Sequence, residues 1–155
     1  VIGRRLAESQ LKGLYTLANV FVLPSRGEGV GLPYLEALAS GTPVIATAWG
    51  GQMDFLTHNN SFLIPYQLKN PEVSMNSRHA ISRQFRYLFA EKGQQWAEPD
   101  FSKLRAIMRK AYENPELCKR KGRQGRRDVL HLSWQRSGLL LKHAVDKVIK
   151  SKNKG

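Results

Sequence analysis

The sequence has one cysteine, no long apolar segment and no cluster of metal ligands. Cys118 has no second cysteine in the chain with which to pair, so no internal disulfide holds the fold. This is typical of a protein from a reducing compartment, and we expect a cytoplasmic location. No apolar run approaches the roughly 18 residues that a membrane-spanning helix requires. The histidines are scattered without metal-ligand spacing, so we expect no metal site and no bound cofactor.

In the second part of the chain acidic residues are few relative to basic ones, and this sets the charge distribution. The 155 residues carry a formal net charge of +13. Residues 66–155 contain 21 of the 25 basic residues and 8 of the 12 acidic ones, so residues 1–65 are neutral overall. Such asymmetry favours an anionic membrane surface as a partner, although the solvated faces of amphipathic helices have a similar composition. Because the basic residues form no recognised nucleic-acid-binding motif, we expect no specific nucleic acid partner.

A glycine-rich segment between a strand and a helix is the most informative part of the sequence. Ala18–Leu23 is a short apolar run that is typical of a buried strand. Three glycines follow it: Gly27, Gly29 and Gly31. They allow a sharp turn and the close approach of a ligand to the backbone. Pro33 suits the first turn of a helix, whose free N–H groups form a site for a phosphate or diphosphate.

Two glutamates accompany this segment. Glu28 lies in the glycine-rich turn, and Glu36 falls one turn into the predicted helix, beside an anion bound at the helix N-terminus. A carboxylate there can accept two hydrogen bonds from a vicinal diol such as a ribose. The residues therefore predict a nucleotide-sugar site, although two glutamates at a helix start are also a common solvated pair.

The Glu28-x7-Glu36 segment resembles the signature of the family 4 retaining glycosyltransferases with the GT-B fold. Its residues read Glu-Gly-Val-Gly-Leu-Pro-Tyr-Leu-Glu, followed by Ala-Leu-Ala-Ser-Gly-Thr-Pro-Val-Ile. The likeness continues through Ala46–Leu56 and Asn60–Ile64, and Gln95–Asp100 is similar to a segment of a bacterial branch of that family. The resemblance implies transfer of a hexosyl group from a nucleotide diphosphate sugar to an acceptor, in bacterial glycan or glycolipid synthesis.

The resemblance also implies roles for individual residues. Glu28 takes the catalytic position against the donor sugar, and Glu36 holds the ribose hydroxyls. The implied donor-binding positions are Gly29, Val30, Gly31, Leu32, Glu36, Gly50 and Gly51. In the family, backbone amides and cations rather than a metal stabilise the leaving diphosphate, and the donor here is a UDP- or GDP-sugar. Asp54 departs from the family pattern, because many members carry a glutamate there.

The alternation of predicted strands and helices indicates an α/β fold. We expect an incomplete Rossmann-like parallel sheet with flanking helices and a helical C-terminal region, as in part of a GT-B C-terminal domain. The expected divisions are a donor-binding core over 1–65, a long loop or insertion over 66–99, and C-terminal helices of the same domain over 100–155.

The element boundaries follow from caps and periodicity. Strands are predicted over 18–23, 43–47 and 62–65. A helix capped by Ser9 is predicted before the first strand, and short helices are predicted over 33–40, 51–57 and 78–89. Asn114-Pro115 begins a basic helix that Gly122 and Gly125 are expected to interrupt, and Ser133 caps the last helix. Apolar stripes on the C-terminal helices are expected to make core contacts. Their residues are Leu104, Ile107, Met108, Ala111 and Tyr112, then Leu141, Ala144, Val145, Val148 and Ile149.

The chain begins after the arginine and lysine that family members use for the donor diphosphate, and without the N-terminal domain that binds the acceptor glycan or lipid. We therefore expect no useful transferase activity from these residues alone, because a phosphoryl leaving group needs positive charge. The strand over 18–23 is expected to be an unprotected sheet edge.

Two other functions stay open on the sequence. One is a non-catalytic nucleotide-binding module, because a fold does not imply an activity. The other is a basic module that docks on an anionic membrane or on nucleic acid through residues 66–155, with attachment at the inner face of the membrane.

Overall fold

The sheet at the centre of the molecule is parallel and has three strands. The structure is a computed structural model that describes residues 5–71, 87–89 and 91–152. The strands are β1 (Phe21–Leu23), β2 (Val44–Thr47) and β3 (Ser61–Ile64), in that spatial order. The four residues of β2 are all buried, and among the described strands β1 lies at one edge of the sheet.

Helices pack on both faces of this sheet. In chain order, the helices that the structure describes are α1 (Glu8–Leu17), α2 (Leu32–Ala39), α3 (Phe101–Glu113), α4 (Pro115–Val129) and α5 (Trp134–Lys152), and a 3-10 turn lies at Gly51–Asp54. Val44 and Ala46 pack with α2 on one face, and Ile45 packs with α3 and α4 on the other. This alternation is the period of two that a strand imposes, and it confirms the predicted α/β class.

Helix α4 is continuous, whereas the sequence analysis expected an interruption at its glycines. Both glycines are buried where α4 crosses the segment that joins α2 to β2. A Cβ on Gly122 would lie 2.0 Å from the carbonyl oxygen of Gly41, and one on Gly125 would lie 2.4 Å from Leu38 Cδ2. The glycines therefore permit close helix packing.

The predicted loop after residue 65 is partly wrong. Tyr66–Lys69 (β4) and Trp96–Pro99 (β5) form an antiparallel pair. Three of the four β4 residues are exposed, so β4 lies at the surface. Its alternation of apolar and polar residues spans only four positions, which is a weak strand signal. The predicted helix over 78–89 lies outside the described residues except for 87–89, which form a 3-10 turn.

The predicted helix caps are right in one case and wrong in another. Helix α1 begins at Glu8 after Ala7, whose N–H bonds the Gln10 side chain, so Ser9 is not its cap. Ser133 does cap α5, because its hydroxyl oxygen accepts from the Arg136 N–H at 3.2 Å.

The two predicted apolar stripes differ in burial. On α3, Leu104 and Ala111 are buried, while Tyr112 is 80% exposed. On α5 the stripe is exposed, with Leu141 at 67%, so the expected core contact is wrong there. Within residues 5–71, 87–89 and 91–152, no helix is long and apolar enough to span a membrane.

Candidate functional site

The signature loop, residues 24–31, leaves the carboxyl end of β1 and enters α2. Tyr34 on the first turn of α2 anchors the start of this loop. Its side chain is fully buried, its hydroxyl donates to the Leu23 carbonyl at 2.7 Å, and it lies 3.0 Å from Ser25 Oγ. Burial is the main cause of the raised pKa of Tyr34, so the phenol stays protonated at neutral pH.

Gly31 sets the direction in which the chain enters α2. Its φ of 79° lies in the left-handed region, which glycine tolerates without strain. A Cβ at this position would lie 2.6 Å from the Tyr34 ring. Among the residues that the structure describes, no acceptor takes the N–H groups of Val30, Gly31 or Leu32. These groups and the positive end of the helix dipole form a site for an anion.

The structure brings the Gly50-Gly51 turn against the signature loop. The Gly51 N–H donates to the Glu28 carbonyl at 3.0 Å. A Cβ on Gly51 would lie 1.6 Å from the Gly29 carbonyl oxygen, so the two backbones touch. Gly50 has a φ of 106°. Two segments that are about 20 residues apart in the sequence therefore make one surface beside the N-terminus of α2.

The buried side chain of Gln52 supports the Gly50-Gly51 turn, and the sequence did not predict this role. The side chain is fully buried, and its Nε2 donates to the carbonyl oxygens of Thr47, at 3.1 Å, and Trp49. A Cβ on Gly50 would lie 2.6 Å from Gln52 Oε1. A buried amide that cross-links a turn gives no periodic signal, so only the fold reveals it.

Glu36 lies on the solvent side of α2, one turn after Leu32. The Tyr15 hydroxyl on α1 donates to Glu36 Oε2 at 3.0 Å. Burial, and then the hydrogen bond and the charge of Glu36, raise the pKa of Tyr15 to about 12. Helical spacing does not show which side chain the hydroxyl meets, so this contact was not predicted from the sequence.

Glu28 is half-buried in the signature loop, with its backbone held by Gly51. No side chain in the described part of the protein hydrogen-bonds its carboxylate. Along the chain, Glu28 in the loop and Glu36 in α2 thus lie on either side of the free amides. Asp54 ends the 3-10 turn with an exposed side chain.

Arg26 is held by residues of β5. Its guanidinium makes a two-point ion pair with Glu98, with Nε–Oε2 at 2.7 Å and Nη2–Oε1 at 3.0 Å. It also stacks 4.5 Å above the Trp96 ring, while its carbonyl accepts from the Ala97 N–H at 3.0 Å. Arg26 therefore ties the signature loop to β5, and its charge is already paired. The described residues contain no group of three or more possible metal ligands.

Comparison with protein families gives a match over the first part of the chain. The family model described as "Glycosyl transferases group 1" matches residues 1–73. This range contains the signature loop, α2 and the Gly50-Gly51 turn.

Curated relatives match the same region. The chain is 44% identical over 62 residues to an uncharacterised glycosyltransferase from Methanocaldococcus jannaschii, which covers 40% of this chain and 16% of the relative. It is 38% identical over 66 residues to the GDP-mannose-dependent alpha-(1-6)-phosphatidylinositol monomannoside mannosyltransferase of Mycobacterium tuberculosis, a match that covers 38% of this chain and 17% of the relative. It is 33% identical over 116 residues to sucrose-phosphate synthase 4 of Arabidopsis thaliana, a match that covers 72% of this chain and 10% of the relative. The chain therefore spans between 10% and 17% of the length of these relatives.

A solved structure has the same fold. The sucrose-phosphate synthase from Thermosynechococcus elongatus matches 95% of this chain, which is 29% of that protein, with a TM-score of 0.65 and 24% sequence identity. That neighbour is a GT-B glycosyltransferase. At this level of identity the likeness shows the fold alone.

Proposed function

We propose that this chain is part of a glycosyltransferase and binds the nucleotide diphosphate sugar of a retaining hexosyl transfer. The observation that carries the proposal is the convergence of three features. The free amides at the start of α2 lie beside the Gly50-Gly51 turn, and Glu36 stands one turn further along the same helix.

The diphosphate would bind at the free N–H groups. In this proposal the amides of Gly29, Val30, Gly31 and Leu32 and the Gly50-Gly51 turn contact its oxygens. Amides aimed at a developing charge stabilise a leaving group, and the helix dipole adds to them. Arg26 is absent from this list because Glu98 already pairs its charge.

The two glutamates would contact different parts of the donor. Glu36 accepts hydrogen bonds from the ribose hydroxyls, because its carboxylate is exposed and only partly used by Tyr15. Glu28 lies against the donor sugar, where its negative charge faces the carbon from which the diphosphate departs. In this proposal the reaction needs no metal, since amides and cations stabilise the leaving diphosphate.

The donor base is uracil or guanine, and the acceptor is a glycan or a lipid in bacterial glycan or glycolipid synthesis. The M. tuberculosis relative is GDP-mannose-dependent by name, which supports a nucleotide sugar for this chain without choosing between the bases. A cytoplasmic site that approaches the inner membrane face through basic residues 66–155 fits a lipid acceptor.

A titration with nucleotide tests the proposal. NMR titrations of the labelled 155-residue chain with UDP and with GDP would measure affinities even in the millimolar range. We expect binding of at least one nucleotide, weakened about tenfold or more by Glu36→Ala, because hydrogen bonds to a charged acceptor are lost. Glu113→Ala, an exposed glutamate at the end of α3, is the matched control. Binding of neither nucleotide, or equal affinity for wild type and Glu36→Ala, would contradict the proposal.

The charge of residues 66–155 supports a second candidate, a basic module that docks on an anionic surface. Its expected signature is binding to vesicles that contain phosphatidylserine, with a steep loss of affinity as salt increases. Glu36→Ala would leave that binding unchanged.

A further inference from the structure

We infer that Tyr15 is a positioning residue for Glu36. Its hydroxyl holds one carboxylate oxygen so that the other is presented to the ribose hydroxyls of the donor. The contact that supports this is the 3.0 Å hydrogen bond from the Tyr15 hydroxyl to Glu36 Oε2, which joins α1 to α2. The inference deepens the proposed function and rests on it.

The Tyr15 ring is itself fixed by neighbours from the sheet. It packs edge-on against Phe21 on β1, with ring centroids 5.5 Å apart, and Phe21 packs in the same way on Tyr34 at 6.1 Å. The Tyr15 carbonyl accepts from Thr42 Oγ1 at 2.6 Å. The hydroxyl therefore occupies a place set by buried structure, although it emerges at the surface.

The Glu36 side chain, unlike the Tyr15 ring, is not fixed by packing. It is exposed, so without a partner its side chain would sample several rotamers in water. Ordering such a side chain when a ligand binds costs conformational entropy. A hydrogen bond from a rigid neighbour removes part of that cost before the ligand arrives.

The carboxylate has capacity for both partners. An ionised carboxylate offers about four acceptor positions on two oxygens, of which the Tyr15 hydroxyl uses one. Oε1 and the remaining positions on Oε2 are left for the two hydroxyls of a ribose. The pKa of Tyr15, raised to about 12, keeps the phenol protonated and donating at neutral pH. Glu36 therefore stays an acceptor for both neighbours.

Tyr15→Phe tests the inference, because it keeps the ring that packs on Phe21 and removes the hydroxyl. The probes are UDP and GDP and their 2′,3′-dideoxy counterparts, titrated by NMR into the full 155-residue chain. We expect Tyr15→Phe to weaken binding of the ribonucleotide about threefold to tenfold, the range for one exposed hydrogen bond. Binding of the dideoxy compound should be unchanged, since it has no hydroxyls for Glu36 to hold. A variant with a general structural defect would bind both compounds less tightly.

The matched control is Tyr112→Phe, which removes the hydroxyl of a tyrosine that is 80% exposed on α3. It should change neither affinity. If Glu36→Ala also has no effect on either compound, the proposed function fails. If Glu36→Ala weakens ribonucleotide binding but Tyr15→Phe does not, only the role of Tyr15 is overturned. An increase in ribonucleotide affinity in Tyr15→Phe would mean that Tyr15 occupies the ribose position, which also overturns it.

Discussion

The sheet region and the C-terminal helix α5 both carry apolar patterns, but the apolar side chains are buried in the sheet region and exposed on α5. In the sheet region, Leu38 on α2 is fully buried against β2 and the end of α4. On α5, Leu141 belongs to a stripe of helical period and is 67% exposed. An apolar stripe specifies which side of a helix prefers to be buried, but burial itself needs a neighbouring surface. For α2, which carries part of the candidate site, the neighbouring surface is the packed sheet.

The largest expected effect compares one leucine from each region. Leu38→Ala should lower the free energy of unfolding by about 2–5 kcal/mol, because it removes buried methyl groups and leaves a cavity. Leu141→Ala should change it by about 0.5 kcal/mol or less, since an exposed side chain loses little on truncation. Urea denaturation followed by circular dichroism measures both. A cost for Leu141→Ala close to that of Leu38→Ala would show that α5 is covered in solution.

Two helical glycines should give smaller changes in the free energy of unfolding, with opposite signs, when each is replaced by alanine. Gly122→Ala should destabilise the protein by about 1–3 kcal/mol, because its Cβ would meet the Gly41 carbonyl at 2.0 Å. Gly138→Ala on α5 has open space within 4 Å and should stabilise by about 0.5–1 kcal/mol through helix propensity. The same denaturation experiment reads both. Stabilisation by Gly122→Ala would contradict the close packing of α4.

The smallest effect is a pH dependence at the start of α3. Asp100 accepts from the Ser102 hydroxyl and from the N–H groups of Lys103 and Ser102, and these bonds lower its pKa. A carboxyl with a lowered folded-state pKa stabilises the fold above its unfolded value of about 3.9. That stabilisation is lost as the pH falls through the folded-state pKa.

Asp100→Asn should therefore lose less stability than the wild type between pH 6 and pH 3. Urea midpoints at the two pH values measure the difference. Identical pH dependence in the two proteins would show that Asp100 does not contribute through its charge.

Local sequence signals predicted much of the core. The apolar run before Pro24, the proline at the start of α2 and the Gly-Thr-Pro turn each predict their element from nearby residues alone. The resemblance of the Glu28-x7-Glu36 segment likewise indicates the family from the residues of one short segment. The contact between Gly51 and the signature loop was not predicted, because it depends on how β1 and β2 pair.

Several of the misses share one physical cause. The β4–β5 pair, the Arg26–Glu98 ion pair and the Tyr15–Glu36 bond join residues that are 21 or more positions apart. Periodicity and capping report neighbours within a few positions, so they do not register such pairs. The burial of Gly122 and Gly125 was missed for the same reason, since the residues they contact belong to α2 and to the segment between α2 and β2.

In the proposed function the donor nucleotide binds at the start of α2 rather than on the basic helices. Mapping of backbone amide shifts during titration with UDP and GDP distinguishes these two places. We expect the largest shifts on the amides of Val30, Gly31 and Leu32 and of the Gly50-Gly51 turn, with α5 unaffected. Shifts confined to the basic residues of α4 and α5, with the signature loop unchanged, would contradict it.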